Sequence, residues 1–295
     1  MTRRVLVIGD VMLDVVVRPV APFAPTSDTP ARVRVGRGGS GANLAVALRA
    51  AIGDLFEVTF AGSAGSDAAA HIVAADLEEC GVHAHLATTD GATGVVVSLV
   101  GDEGERAMMT ERGVNAELRY EHVAALFDTS LAHVHVSGYT VLDDHSRSLV
   151  PRFIEAASSL GATTSIDVCS VGPLTSVGPE NFVAAAAGAT MIFANEEEAL
   201  VLADENGVEG ALDALASRWR EVVITRGPKG AVVRRDAETF SASASVGNIV
   251  DTTGAGDSAT GTYLAYRLLG GDIETALHYA MAAAARVVQG LGSRG

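Results

Sequence analysis

Short, mostly apolar runs recur along this chain at residues 5–8, 58–60, 131–136, 164–166, 191–193 and 222–224. Runs of that length are expected of strands covered on both faces. Between them lie alanine- and leucine-rich stretches of helical length at 42–51, 68–79, 144–160, 197–202 and 211–219, and two more follow at 255–269 and 273–288. Strands alternating with helices predict a mostly parallel sheet with helices on both faces.

Two segments break that rhythm. Residues 15–35 place β-branched positions around a proline-rich centre, Pro19 to Pro30, with no helical period. Residues 82–110 read as strands, with Gly91-Ala92-Thr93-Gly94 and Gly101-Asp102-Glu103-Gly104 as turns. They predict a small β-sheet standing off the main body, although a pair of long surface loops has the same pattern.

Composition narrows the partners more than the fold. The chain has 295 residues, enough to bury a large core, and carries 36 acidic against 21 basic side chains, a net charge of −15. That excess argues against nucleic acid or an anionic membrane as partner, since both need basic patches. A small phosphate ligand feels the local site more than the total and is not excluded. No apolar run reaches the length of a membrane span. Arg3-Arg4 precedes an apolar run that breaks at Gly9-Asp10, which reads as a buried first strand rather than a leader. Cys80 and Cys169 lie in no CxxC or metal-ligand spacing and are expected to be buried thiols in a reducing compartment. The expected location is the cytoplasm.

The densest chemistry is the string Val250-Asp251-Thr252-Thr253-Gly254-Ala255-Gly256-Asp257-Ser258-Ala259-Thr260-Gly261. A helix start offers unpaired N–H groups and the positive end of the dipole, and glycines let an anion approach them. An aspartate at such a place needs a reason; a base beside an anion hole is one. The same helix end is expected to hold Asp257 as the anion. No GxxxxGK[ST] P-loop is present. Gly36-Arg37-Gly38-Gly39-Ser40-Gly41 satisfies GxGxxG, but a dinucleotide fingerprint opens the first βαβ unit, and here the first strand ends in Gly9-Asp10. Asp10 and Asp14 follow that strand, where carboxylates face the crevice of an open parallel sheet and suit a polyol; a turn residue is the alternative for Asp10. Asn43 offers both donor and acceptor, or a helix cap. Asn195 and Glu198 share a face at i, i+3, which fits a water-coated Mg²⁺ or a capping pair on an acidic helix. His133 and His135 alternate in a strand and are expected to pack.

Four of these strings together resemble the ribokinase-like (PfkB) family of sugar and nucleoside kinases. Gly38-Gly39-Ser40-Gly41-Ala42-Asn43-Leu44-Ala45-Val46-Ala47 is similar to its N-terminal signature, and Asn195-Glu196-Glu197-Glu198 to its NxxE motif. Thr225-Arg226-Gly227-Pro228-Lys229-Gly230 is similar to its nucleotide-side loop, and the string from Val250 to Gly261 to its catalytic signature. The resemblance implies a three-layer α/β fold over residues 1–295, with a mostly parallel central sheet and a small β-sheet lid built from inserts at about 15–35 and 82–110.

It also implies an activity: ATP-dependent phosphorylation of a hydroxymethyl group on a sugar. In that reading the N–H groups of Gly254, Ala255 and Gly256 face the γ-phosphate and Asp257 takes the hydroxyl proton. The sugar lies near Asp10, Asp14, Gly38, Gly39 and Asn43. Arg106, in the expected lid, reaches a carboxylate or phosphate on the substrate, or forms an exposed salt bridge. The nucleotide lies near Asn195, Thr225, Gly227 and Gly230, with Mg²⁺ held through water by Glu198. Asp251 and Thr253 match positions that hold a monovalent cation such as K⁺, and the lid pairs two subunits in some members. Members usually run on to another helix, so the end at Gly295 looks abrupt. Departures count against ribose itself: Met12 and Ser40 replace a polar residue and a lysine, and Ser137-Gly138-Tyr139 replaces an acid. A nucleoside kinase, a 2-keto-3-deoxy sugar acid kinase and a non-catalytic sensor stay open. Phe23 is the aromatic residue the lid segment offers a nucleobase, and a sensor has no use for Asp257.

Overall fold

The computed structural model describes residues 2–101, 106–244 and 252–289. Its strands are β1 (Arg3–Ile8), β2 (Met12–Pro19), β3 (Ala31–Gly38), β4 (Phe56–Ala64), β5 (His83–Thr88), β6 (Gly94–Val100), β7 (Arg106–Glu111), β8 (Leu131–Val136), β9 (Thr163–Asp167), β10 (Met191–Asn195), β11 (Glu221–Thr225), β12 (Ala231–Arg235) and β13 (Glu238–Ala242). The helices of eight residues or more are α1 (Ser40–Ile52), α2 (Ala68–Glu79), α3 (Val150–Ser159), α4 (Glu196–Ala203), α5 (Val208–Ala216), α6 (Ala255–Leu268) and α7 (Ile273–Val287).

The apolar runs become one sheet in the order β13-β12-β11-β10-β9-β8-β1-β4-β5. Every pair from β11 to β5 is parallel, and β12 and β13 close one edge as an antiparallel hairpin. Strand side chains alternate between faces, so each run feeds two cores. Leu6, Ile8, Val134, Val136, Ile192, Ala194, Val222 and Ile224 pack on one side with α3, α4 and α5. Val5, Val7, Val58, Phe60, Phe193, Val223 and Val233 pack on the other with α1, α2, α6 and α7. That division is the three-layer fold. His133 and His135 are fully buried and hydrogen-bonded to Thr163 and Ser165; burial pushes both imidazoles down to about 3, so they pack as neutral rings.

Two expectations need correction. The helix expected over 144–160 is broken, and α3 starts afresh at Val150 with Pro151 in its first turn, where the missing N–H costs least. The lid insert does not begin at residue 82. β5 pairs parallel with β4 in the main sheet, because the α2 crossover returns the chain beside β4.

The lid is therefore β3-β2-β6-β7. Its register sorts the side chains into two faces. Val35, Val15, Val97 and Met109 form one row, and Val33, Val17, Leu99 and Ala107 the next. This face looks away from the main sheet, with Val33 60% and Met109 53% exposed. The opposite face carries Asp14, Val96, Ser98, Met108 and Thr110, and all five line a cleft.

Candidate active site

That cleft, of about 640 Å³, lies between the lid and the carboxyl ends of the central strands. Its place is the one expected for ligands in an open parallel sheet, and its size suits a small molecule. Two helices, α1 and α6, begin at its floor.

The start of α1 is packed from within. Gly39, its N-cap, has φ 91°, and a Cβ there would meet the Asp10 carbonyl oxygen at 2.5 Å. The Asp10 carboxylate accepts from Ser40 N at 3.0 Å, Gly41 N at 3.4 Å and Ser137 Oγ at 2.9 Å. Asp10 borders the cleft at 5% exposure, but its oxygens are committed to holding the end of this helix. At Gly38 a Cβ would overlap the Asp14 carboxylate, so the glycine is what lets Asp14 lie across β3 and reach the cleft. Asn43 does not cap the helix. Its Oδ1 accepts from Arg37 Nη1 at 2.6 Å, and its Nδ2 donates to Asp257 Oδ2 at 3.2 Å.

The start of α6 is left open. Gly254 caps it in the left-handed region at φ 74°, and no side chain among the described residues bonds its N–H groups. A Cβ on Gly256 would meet no atom of the described residues within 4 Å. Asp257 lies in this first turn, with Oδ1 accepting from Ser40 Oγ at 2.7 Å. The expectation that the helix end holds Asp257 as the anion is corrected here. Burial, with the neighbouring charges of Asp167 and Asp10, raises its carboxyl to about 7, even though the Ser40 and Asn43 hydrogen bonds oppose the shift.

Asp167 ends β9 beside this centre. It accepts from Cys169 N at 3.1 Å and Thr260 Oγ1 at 3.2 Å. Burial and the charge of Glu198 raise its carboxyl. Cys169 lines the cleft with φ 71°, a strained position for a side-chain-bearing residue, and is half-buried rather than a core thiol. No cysteine reading pointed there. Asp167 was findable: it ends an apolar run as Asp10 does. Tyr139, from the Ser137-Gly138-Tyr139 departure, and Arg112, which carried no sequence signal of binding, also line the cleft.

On the other side, Asn195 and Glu198 form a reciprocal capping box at the start of α4. Glu198 N donates to Asn195 Oδ1 at 2.9 Å, and Asn195 N to Glu198 Oε2 at 2.8 Å. Both line the cleft, and burial raises the Glu198 carboxyl, with Asp257 adding to it. Thr225 and Thr253 line it as well. Gly227 and Gly230 are not among its lining residues. They have φ 53° and 89° in the turn that joins β11 to β12, and a Cβ on Gly230 would overlap the Ala242 carbonyl. Arg106 opens β7, opposite Val100, and its side chain lies outside what is described; so do Asp251 and the residues after Gln289. Among the described residues no group of three His, Cys, Asp or Glu side chains has metal-holding geometry, and no helix is long and apolar enough to cross a membrane.

Comparison with known proteins agrees with this geometry. Residues 2–295 match the pfkB family carbohydrate kinase model. The chain is 32% identical over 298 residues to the ATP-dependent ribose-1-phosphate kinase of Halopiger xanaduensis, covering 99% of this chain and 94% of that one. It superposes on the adenosine kinase of Sinorhizobium meliloti with a TM-score of 0.89 at 24% identity, covering 100% and 96% of the two chains. It superposes on a candidate ribokinase II of Escherichia coli, solved with ATP and Mg²⁺, with a TM-score of 0.86 at 23% identity over 99% and 94%. At those identities the two structures speak for the fold. The matched family, the three-layer sheet with its lid and the cleft at the strand ends agree: the chain belongs to the pfkB family of carbohydrate kinases.

Proposed function

We propose that this chain transfers the γ-phosphoryl group of ATP to a hydroxymethyl group of a sugar, with Asp257 as proton acceptor. One observation carries the reading: a carboxyl raised to about 7 sits in the first turn of a helix that starts at the cleft with Gly254 and Gly256 lining it and with no side-chain cap. A carboxylate of that pKa is a better base near neutrality than an ordinary aspartate. The hydroxyl oxygen forms a bond to the γ-phosphorus, the bond from phosphorus to the β–γ bridging oxygen breaks, and ADP leaves. The hydroxyl proton passes to Asp257. Ser40 and Asn43 hold the carboxylate in place, and the Gly254–Gly256 backbone receives the charge on the phosphoryl oxygens.

Asp14 and Asn43 hold the sugar. Asn195, Thr225 and Thr253 face the nucleotide, while Gly227 and Gly230 shape the turn that carries Thr225. Glu198 and Asp167 would hold Mg²⁺: both line the cleft, and desolvation together with neighbouring negative charge raises both carboxyls. When bound, it neutralises phosphate charge. K⁺ beside Thr253 and Asp251, and the cytoplasm as location, remain part of the proposal. A sugar fits better than a nucleoside. Phe23 is 74% exposed and away from the cleft, and Tyr139 carries a guanidinium on its ring. The Halopiger xanaduensis relative is likewise named for a sugar acceptor.

Asp257→Asn tests the mechanism. Turnover is expected to fall roughly 10²- to 10⁴-fold, with ATP and sugar affinities kept; near-normal turnover would contradict it. The apolar outer face of the lid supports pairing of two copies. Sedimentation at micromolar protein is expected to show a dimer that Val33→Asp converts to monomer, and a wild-type monomer would end the idea.

A further inference from the structure

The charges lining the cleft are unevenly divided. Asp10, Asp14, Asp167, Glu198 and Asp257 are acidic, and Arg112 is the sole basic residue among the lining residues described. Arg112 follows the last lid strand and is half-buried. Among the described residues its guanidinium makes no ion pair; it lies over the Tyr139 ring, 5.0 Å from the centroid. A stacked guanidinium keeps its in-plane N–H edge for a partner, and its geometry matches the two oxygens of a carboxylate or phosphate.

The position is built rather than incidental. The Arg112 carbonyl accepts from Asn115 Nδ2 at 2.9 Å. Asn115 is itself buried and clamped to the main body: Val11 N donates to its Oδ1 at 2.9 Å, and its Nδ2 donates to the Val11 carbonyl at 3.0 Å. Gly113, with φ 53°, turns the chain at a spot where a Cβ would overlap the Ala92 carbonyl. Arg112 is thus fixed where the lid rejoins the body. On the inner face of the lid Thr110, two residues before Arg112, also lines the cleft and offers a hydroxyl donor.

We infer that the sugar accepting the phosphoryl group already carries an oxyanion, and that Arg112 binds it. This rests on the kinase reading above. A neutral sugar gives Arg112 nothing to neutralise on the lid side of an otherwise acidic cleft. A sugar bearing a phosphate ester or a carboxylate pairs its anion with Arg112 and Thr110 and leaves its polyol to Asp14 and Asn43. Arg112 is then a lid-side cation that selects the substrate.

Three acceptors of stated chemistry test this with the full-length protein: ribose 1-phosphate, 2-keto-3-deoxygluconate and ribose, each with ATP·Mg²⁺. At least one anionic sugar is expected to be preferred over ribose by 10-fold or more in kcat/KM, and the arm that wins identifies phosphate or carboxylate. Arg112→Met is expected to raise the KM of that sugar 10- to 100-fold with the KM for ATP unchanged, since a hydrogen bond to a charged group contributes about 1.5–3 kcal/mol. Arg112→Lys, which keeps the charge without the fork, is expected to recover part of the loss. A merely structural role for Arg112 would move the thermal midpoint and both KM values together, and would overturn the inference. Ribose as the best acceptor, untouched by Arg112→Met, would overturn it while leaving the kinase reading intact. Turnover of no sugar in any arm would remove the kinase reading and the inference with it.

Discussion

The helices α1 and α6 begin at the same cleft with the same local device, a glycine at positive φ followed by small residues. They differ in what meets their N–H groups. At α1 the Asp10 carboxylate bonds Ser40 N and Gly41 N, so that end is closed by the protein's own anion. At α6 no described side chain does this, and the space beyond Gly256 is open. The nearest carboxylate, Asp257, is turned aside to Ser40 and Asn43 instead. A glycine-rich helix start is an anion site by default. Whether it serves structure or ligand is decided by whether an internal carboxylate fills it.

Paired substitutions break that comparison most sharply. Gly39→Ala forces a side chain into the left-handed region, costing about 1–3 kcal/mol, and drives its Cβ against the Asp10 carbonyl and Val11. The variant is expected to lose several degrees of thermal midpoint or fail to fold. Gly256→Ala meets no atom of the described residues, so stability should hold while the methyl obstructs the phosphate and turnover falls. Calorimetry with steady-state kinetics reads both, and equal stability loss at the two glycines would contradict the contrast.

A smaller effect is expected at the two aspartates. Asp10→Ala orphans buried N–H groups and a hydroxyl, at about 1–3 kcal/mol. Asp257→Asn is expected to act in the opposite direction. Its folded carboxyl is raised to about 7, so its charged form is disfavoured in the folded state. Stability from this group is fullest below the unfolded pKa and is lost as pH rises through 7. The asparagine variant should therefore melt a few degrees higher than wild type at pH 8, with the gain shrinking toward pH 4. Denaturation curves across that range check the sign.

Much of this was legible in the sequence, for identifiable reasons. The apolar runs at 5–8 and 222–224 fixed strand and layer together, because alternate residues serve opposite cores. The lid boundary was not legible: the strand character of β5 is local, whereas its partner is chosen by the α2 crossover. The glycine motifs and Asp257 were readable because backbone geometry restricts which residues fit there. Arg112 was not, since its role depends on Tyr139 and Asn115 arriving from other elements. The Asn195–Glu198 pair takes its capping reading, as a capping box that also lines the cleft. The Asp257 pKa was misread because helix polarity is local, while the burial and charges that outweigh it come from the assembled fold.

The account's central claim is that Asp257 works as a base made available by burial among acids. The pH dependence of kcat/KM with the true acceptor tests it most directly. Activity is expected to fall about tenfold per pH unit below a bend near 7, with the bend absent from the residual activity of Asp257→Asn. A profile flat from pH 8 down to about 5, or a bend that survives in Asp257→Asn, would contradict the assignment.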